Sequence, residues 1–310
     1  MASFIPSYIQ CRKNGQLHQK IRTASEKLEK CDLCPRKCGV NRRSGETGVC
    51  KTGEFAFVSS YNAHFGEESP LVGTHGSGTI FFTWCSLLCN FCQNYEISHK
   101  GHGTEVSHET LADIMLHLQK TGCHNINLVT PSHVVPQILA ALDIAVPKGL
   151  RVPLVYNSSG YDCLETIRLL EGVIDIYMPD FKFWDPEVAD MTCHAKDYPR
   201  AARLAIKEMH RQVGNLVSNA DNIAEKGLLI RHLVLPGGLA GTKDIMNFIA
   251  EEISTDTYVN IMPQYRPCGM AHTIEGLSDY LPEEEFVEAL KIAQRRGLKR
   301  LDKPLGLFRT

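Results

Sequence analysis

The sequence predicts an α/β protein: six parallel strands covered by helices, preceded by a cysteine-rich extension. Three observations lead there. From residue 79 onward, six short β-branched runs alternate with amphipathic helical stretches, the pattern of βαβ units around a parallel sheet. The runs are nearly continuous in apolar residues, as strands buried on both faces are. Residues 1–78 lack that alternation and carry four cysteines threaded through Pro35, Gly39, Gly45 and Gly48.

The first strand is expected at 79–84. A helix follows from Ser107, a good N-cap, through Leu111, Ile114, Met115 and Leu118, and stops near Gly122. The second strand, 125–130, leads into a helix opened by Pro131 and Ser132 and continued by Val135, Ile138 and Leu139. The third, 152–157, precedes a helix through Leu164, Ile167 and Leu170. The fourth, 173–178, is separated by a long helical region containing Ala201, Leu204 and Met209 from the fifth, 228–235. The sixth is 258–262, and a last helix covers 283–295. In parallel α/β architectures ligands gather at the C-terminal ends of the strands, so the loops after these six runs are where chemistry is expected.

With 310 residues the chain divides naturally into the extension, 1–78, and an α/β unit, 79–310. A formal charge of −2 gives no basis for a nucleic-acid or anionic-membrane surface. No apolar stretch approaches the ~20 residues needed to span a bilayer, and residues 1–20 lack the apolar core of a signal peptide. A cytoplasmic protein is expected. Twelve cysteines in such a compartment argue for metal or clusters over disulfides.

Seven of the twelve fall into two groups. Cys85, Cys89 and Cys92 form a C-x3-C-x2-C motif directly after the first strand, with Phe91 before the last cysteine. A [4Fe–4S] cluster normally takes four cysteines, so a loop offering three leaves one iron open. The alternatives are a structural zinc with a distant fourth ligand, a plain electron-transfer cluster, or buried thiols. Zinc ribbons favour paired C-x2-C units, which this motif is not. The second group, Cys31, Cys34, Cys38 and Cys50, could bind zinc or an auxiliary iron–sulfur cluster, supplying folding energy the segment otherwise lacks. Cys11, Cys123, Cys163, Cys193 and Cys268 have no metal-type spacing and read as buried or incidental thiols. His64, Glu67, Glu68 and His75, before the first strand, read as a solvated polar turn, with a substrate entrance as the alternative.

On these motifs the chain resembles the radical SAM proteins named for pyruvate formate-lyase activating enzyme, in a functionally obscure branch of that group. The resemblance runs from about residue 28 to 306 and is carried by 31–39, 78–82, 85–98, 127–131, 156–160, 176–182, 208–214 and 231–237. It implies a partial (β/α)6 radical SAM barrel and an oxidoreductase activity. A reduced [4Fe–4S] cluster on Cys85, Cys89 and Cys92 would cleave S-adenosylmethionine (SAM), bound at the open iron, to a 5′-deoxyadenosyl radical. In activating enzymes that radical takes hydrogen from a glycine of a partner protein.

The resemblance also implies roles for single residues. Asp180 and Lys182 stand where activating enzymes place a D-x-K pair against SAM, and Asn157 where they have an acidic residue near the SAM amino group. Arg231 matches a basic residue of the SAM site; an arginine inside a buried strand also requires a ligand or an acid beside it. The usual Gly-Gly-Glu after strand two is replaced by Thr130, Pro131 and Ser132, so Thr130 stands in the SAM-binding position. No catalytic residue is assigned beyond the cofactor ligands, although Cys268 follows the sixth strand on the face suited to a hydrogen donor. A flavodoxin- or ferredoxin-type one-electron reductant and a protein or peptide substrate are the implied partners. A peptide- or metabolite-modifying enzyme without a glycyl-radical partner, and a non-catalytic metal-binding scaffold, are the alternatives.

Overall fold

The computed structural model describes residues 4–302; the last residues of the resemblance, up to 306, lie outside that range. In chain order the elements are α1 (Ser7–Lys13), α2 (Gln16–Glu26), β1 (Ala56–His64), α3 (Ser69–Val72), β2 (Ser77–Phe82), α4 (Tyr95–Ser98), β3 (Thr104–Val106), α5 (His108–Lys120), β4 (Ile126–Val129), α6 (Val135–Ala145), β5 (Leu154–Ser158), α7 (Leu164–Leu169), β6 (Ile176–Pro179), α8 (Pro186–Cys193), α9 (Tyr198–Val213), β7 (Val217–Ser218), β8 (Ala224–Leu233), α10 (Thr242–Phe248), β9 (Tyr258–Met262) and α11 (Glu283–Arg295).

Strands β2, β4, β5, β6, β8 and β9 are parallel, each hydrogen-bonded to the next. They are the six apolar runs read from the sequence. No pairing joins β9 back to β2 among the described residues, so the sheet is an open, partial barrel. Three further strands are antiparallel additions: β1 pairs β2, β3 pairs β1, and β7 pairs β8. The sequence pattern does not announce them. β1 lies towards a sheet edge, and its second half (Ser59, Ser60, Tyr61, Asn62) is largely polar; β3 and β7 have three and two residues.

Alternation sorts the strand side chains. Ile80, Phe82, Ile126 and Leu128 face the helices in the main core, whereas Val155, Ile176, Met178 and Leu229 face the lumen. Leu71 of α3 joins that lumen cluster, fully buried, and its carbonyl accepts from Asn125 Nδ2 at 2.9 Å. The loop after β1 therefore fills the lower lumen of the open barrel. Leu71→Ala is expected to cost about 2–5 kcal/mol, read as a lowered midpoint in chemical denaturation.

Helices α1 and α2 add Tyr8, Leu17 and Ala24 to the main core. Tyr8 Oη donates to Val152 O at 2.8 Å, and Ser7 N donates to Asp175 Oδ1 at 2.8 Å. The extension, which shows too little periodicity for a core of its own, borrows the core of the barrel. Helix α6 begins three residues later than Ser132 because Pro131 to Val134 form a turn, closed by Val134 N to Pro131 O at 2.9 Å.

Candidate functional site

The three-cysteine loop leaves β2 through a sharp bend. Trp84 and Leu88 both adopt left-handed backbone, at φ 62° and 57°, conformations that non-glycine residues hold only under constraint from their surroundings. Part of that constraint is Gly101, where an added Cβ would lie 2.2 Å from the Trp84 ring. The rest comes from Arg36, which donates through Nε to Ser86 O at 2.9 Å and through Nη2 to Leu87 O at 3.1 Å and Cys193 O at 2.7 Å. Asn90 N donates to Thr192 O at 2.9 Å. The loop is thus pinned on both sides by elements distant in sequence.

Its sulfurs sit among few polar partners. Ser98 Oγ donates to Cys92 Sγ at 3.2 Å, and Leu87 N donates to Cys85 Sγ at 3.4 Å. Burial, then the neighbouring Cys89, pushes the Cys85 thiol up to about 12. Cys89 is raised first by the Cys193 thiol against it and then by burial, and Cys92 by burial and then Cys89. Cys193, incidental by spacing, is therefore packed against one of the three.

Cys85, Cys89 and Cys92 line one cavity of about 150 Å³ with Phe81, Val129, Thr130, Asn157, Ser158, Asp180, Lys182 and Arg231. These residues come from the C-terminal parts of β2, β4, β5, β6 and β8 and the loops after them, the end of a parallel sheet where ligands bind. Roomier clefts of about 250 and 400 Å³ lie outside the barrel, beside α7–α9 and α10–α11, and contain none of these thiols.

The charged wall is tightly knit. Lys182 Nζ contacts Asp180 Oδ2 at 2.5 Å, Arg231 Nε donates to Asp180 Oδ1 at 2.7 Å, and Arg231 Nη2 donates to Asn157 Oδ1 at 2.7 Å. Burial would raise Asp180, but Arg231 and then Lys182 outweigh it and hold the carboxyl below its ordinary range. Burial opposes the charge of Lys182 as well, yet Asp180 and Cys89 push its pKa up. All three groups are charged at neutral pH. Gly160 lets the loop after β5 close on this cluster: its φ is 76°, and a Cβ would lie 2.2 Å from Asp180 O. Thr130 also has left-handed backbone, φ 61°, a strained state for a β-branched residue.

Glu67 and Glu68 are where the sequence was misleading. Two acids after a glycine read as a solvated turn, but Glu68 is buried and both carboxylates stand 3.8 Å from Arg231 Nη1. Asn260 Nδ2 donates to Glu68 Oε1 at 2.9 Å, and His64 packs edge-on against Phe81. The loop that plugs the lumen thus supports the far side of Arg231. The apolar Pro70-Leu71 pair, one residue after the acids, was the available signal.

Cys31, Cys34, Cys38 and Cys50 line a separate small void with Arg42 and His133. Cys268 lies on the loop after β9; the backbone of its neighbour Met270 donates to Asn90 O at 2.6 Å, which lays that loop on the three-cysteine motif. Cys11, Cys123 and Cys163 are buried elsewhere. Among the described residues no three His, Cys, Asp or Glu side chains converge tightly enough to hold a single metal ion. No helix among them is long and apolar enough to cross a membrane.

Residues 79–224 match the model of the radical SAM superfamily. An uncharacterized protein of Methanocaldococcus jannaschii is 32% identical over 294 residues, covering 92% of this chain and 80% of the relative. The chain belongs to the radical SAM superfamily. A crystal structure of a radical SAM methyltransferase from Sphaerobacter thermophilus matches with a TM-score of 0.49 and 12% identity, over 74% of this chain and 68% of that one. Membership implies SAM-dependent radical chemistry, a [4Fe–4S] cluster and a one-electron reductant. The donor set fits: three thiols face the same cavity as a charged, hydrogen-bonding wall suited to an amino acid carboxylate and ammonium.

Proposed function

We propose that the protein is a radical SAM oxidoreductase acting on a protein or peptide, in the manner of a glycyl-radical activating enzyme. Cys85, Cys89 and Cys92 hold the cluster, and Thr130, Asn157, Asp180, Lys182 and Arg231 bind SAM. When bound, the reduced cluster supplies the electron that cleaves SAM to methionine and a 5′-deoxyadenosyl radical. The observation that carries this reading is the single cavity shared by the three thiols and the Asp180–Lys182–Arg231 cluster.

The remaining work falls to the chain. Lys182 offers its ammonium to the SAM carboxylate, Asp180 accepts hydrogen bonds near the sulfonium, and Arg231 keeps Asp180 and Asn157 in register. The enclosing strands keep solvent from the radical. In this proposal residues 1–78 are a Cys-rich extension and 79–310 the catalytic unit, sharing one sheet through β1. A macromolecular substrate suits the open side of the barrel and the apolar, exposed Met270 (41%) and Tyr280 (73%) on the loop that lies over the three-cysteine motif.

Lys182→Ala is expected to weaken SAM binding by about 1.5–3 kcal/mol, roughly 10- to 150-fold, measured by equilibrium dialysis on the reconstituted protein. The substrate class is tested by supplying reduced enzyme and SAM with protein from cells grown on α-deuterated glycine. Deuterium in 5′-deoxyadenosine from the protein fraction is the expected result. Deuterium-free 5′-deoxyadenosine with that fraction, and hydrogen drawn only from small metabolites, would contradict it.

A further inference from the structure

Given the ligand set proposed above, on which this reading rests, we infer that Ser98 and His99 form a hydrogen-bond relay that ends on the Cys92 thiolate and raises the reduction potential of the cluster. Ser98 is the last residue of α4 and is 8% exposed. Its Oγ lies 3.2 Å from Cys92 Sγ and 2.8 Å from His99 Nδ1. Among the described residues it is the hydroxyl that reaches a sulfur of this motif. Cys85 instead takes a backbone amide, Leu87 N, at 3.4 Å, and Cys89 faces the Cys193 thiol.

The charge of the ligand fixes the direction of the relay. A hydroxyl has one proton to give and two lone pairs. Beside a neutral Cys92 thiol, Ser98 can give that proton to either neighbour. A metal-bound thiolate only accepts, so Ser98 Oγ then donates to Cys92 Sγ, and His99 Nδ1–H donates to Ser98 Oγ. Nε2 of the same ring is buried without a hydrogen-bond partner, so the ring is placed by its bond to Ser98 and by packing.

That packing is close. His99 stacks on Tyr95, with centroids 4.1 Å apart and planes 12° from parallel. An added Cβ on Gly269 would lie 2.6 Å from the Tyr95 ring, so the loop after β9 backs the stack. Trp84 N donates to Ile97 O at 3.0 Å and Ser98 N to Asn94 O at 2.9 Å, which tie α4 to the end of β2 and to the three-cysteine loop. The hydroxyl is thereby held at the sulfur by elements on either side of it in the chain.

Hydrogen bonds to ligand sulfurs help set a cluster's potential. They stabilise the reduced state more, because it carries the additional negative charge. The step is the transfer of one electron from the reductant to the cluster; no bond is made or broken at Ser98 or His99, and no proton leaves either. Ser98 is a positioning residue that acts through Cys92, and His99 one that acts through Ser98.

The test is a redox titration with dithionite, followed by electron paramagnetic resonance, on anaerobically reconstituted full-length protein without SAM. In Ser98→Ala the ratio of reduced to oxidised cluster at a fixed potential is expected to fall about tenfold, or about 59 mV for a one-electron couple. Ser98→Thr, which keeps the hydroxyl, should stay near wild type. His99→Phe, which keeps the stacking on Tyr95, should shift the same way by less. The double variant Ser98→Ala, His99→Phe should shift no further than Ser98→Ala alone. A Ser98→Ala potential equal to wild type, or additive effects of the two substitutions, would overturn the relay and leave the ligand assignment intact. Where Ser98→Ala holds less iron, an unshifted His99→Phe overturns it instead. A wild-type protein without a cluster would overturn the ligand assignment and the relay together. A wild-type signal indifferent to SAM, with Ser98→Ala still shifted, would fail the SAM reading and leave the relay standing.

Discussion

Cys89→Ala protein, reconstituted without oxygen, will fold as wild type does and produce 5′-deoxyadenosine only at background. The substitution removes one sulfur from a largely buried position, so its cost in packing is small compared with its chemical effect. On the proposed assignment Cys85, Cys89 and Cys92 hold the cubane; with Cys89 removed, two irons lack a ligand from that motif and the open coordination site loses its definition. Circular dichroism and the denaturation midpoint will stay close to wild type. The expected loss is confined to SAM cleavage and to the SAM-responsive spectroscopic signal. Substantial 5′-deoxyadenosine from this variant would remove Cys89 from the ligand set.

Arg231→Met is expected to have the largest effect on stability, about 3–5 kcal/mol. The guanidinium neutralises Asp180 at 2.7 Å and lies within 3.8 Å of both Glu67 and Glu68. Removing it leaves three carboxylates in the upper lumen with Lys182 as the remaining cation of the cluster. Glu68, already raised by burial with Arg231 opposing, would then take up a proton more readily. The sign follows. A carboxylate whose folded pKa is raised binds more protons folded than unfolded, so the variant's deficit grows as pH climbs above the ordinary carboxylate range. Urea denaturation of wild type and variant at pH 5 and pH 8 checks both the size and this direction; a variant equally stable at both, and equal to wild type, would show that the ion cluster contributes nothing to folding.

The parts legible in the sequence were those encoded locally. Three cysteines within eight residues mark the loop after β2 as a candidate ligand set, and six nearly unbroken apolar runs announce strands covered on both faces, because neither signal depends on a distant partner. What the sequence left obscure depends on long-range packing. β1 is half polar because it lies near the sheet edge, so it reads as a loop until β2 and β3 are seen to pair with it. Glu67 and Glu68 read as solvated because the one nearby signal, the short apolar pair Pro70 and Leu71, does not say that α3 enters the lumen beneath Arg231. Cys193 has no motif spacing, and its contact with Cys89 exists only once α8 packs beside the cluster loop. The pairing of Asp180 with Lys182 lies within one turn of chain, whereas Arg231 and Asn157 reach the same cluster from neighbouring strands.

Electron paramagnetic resonance of the reduced, reconstituted protein, recorded with and without SAM, reads out directly whether SAM binds the open iron of a cluster on Cys85, Cys89 and Cys92. An S = 1/2 iron–sulfur signal whose shape changes when SAM is added, in wild type and not in Cys89→Ala, is the predicted result. A reduced cluster whose spectrum is the same in the presence and absence of SAM would contradict SAM binding at the open iron of the Cys85–Cys89–Cys92 site.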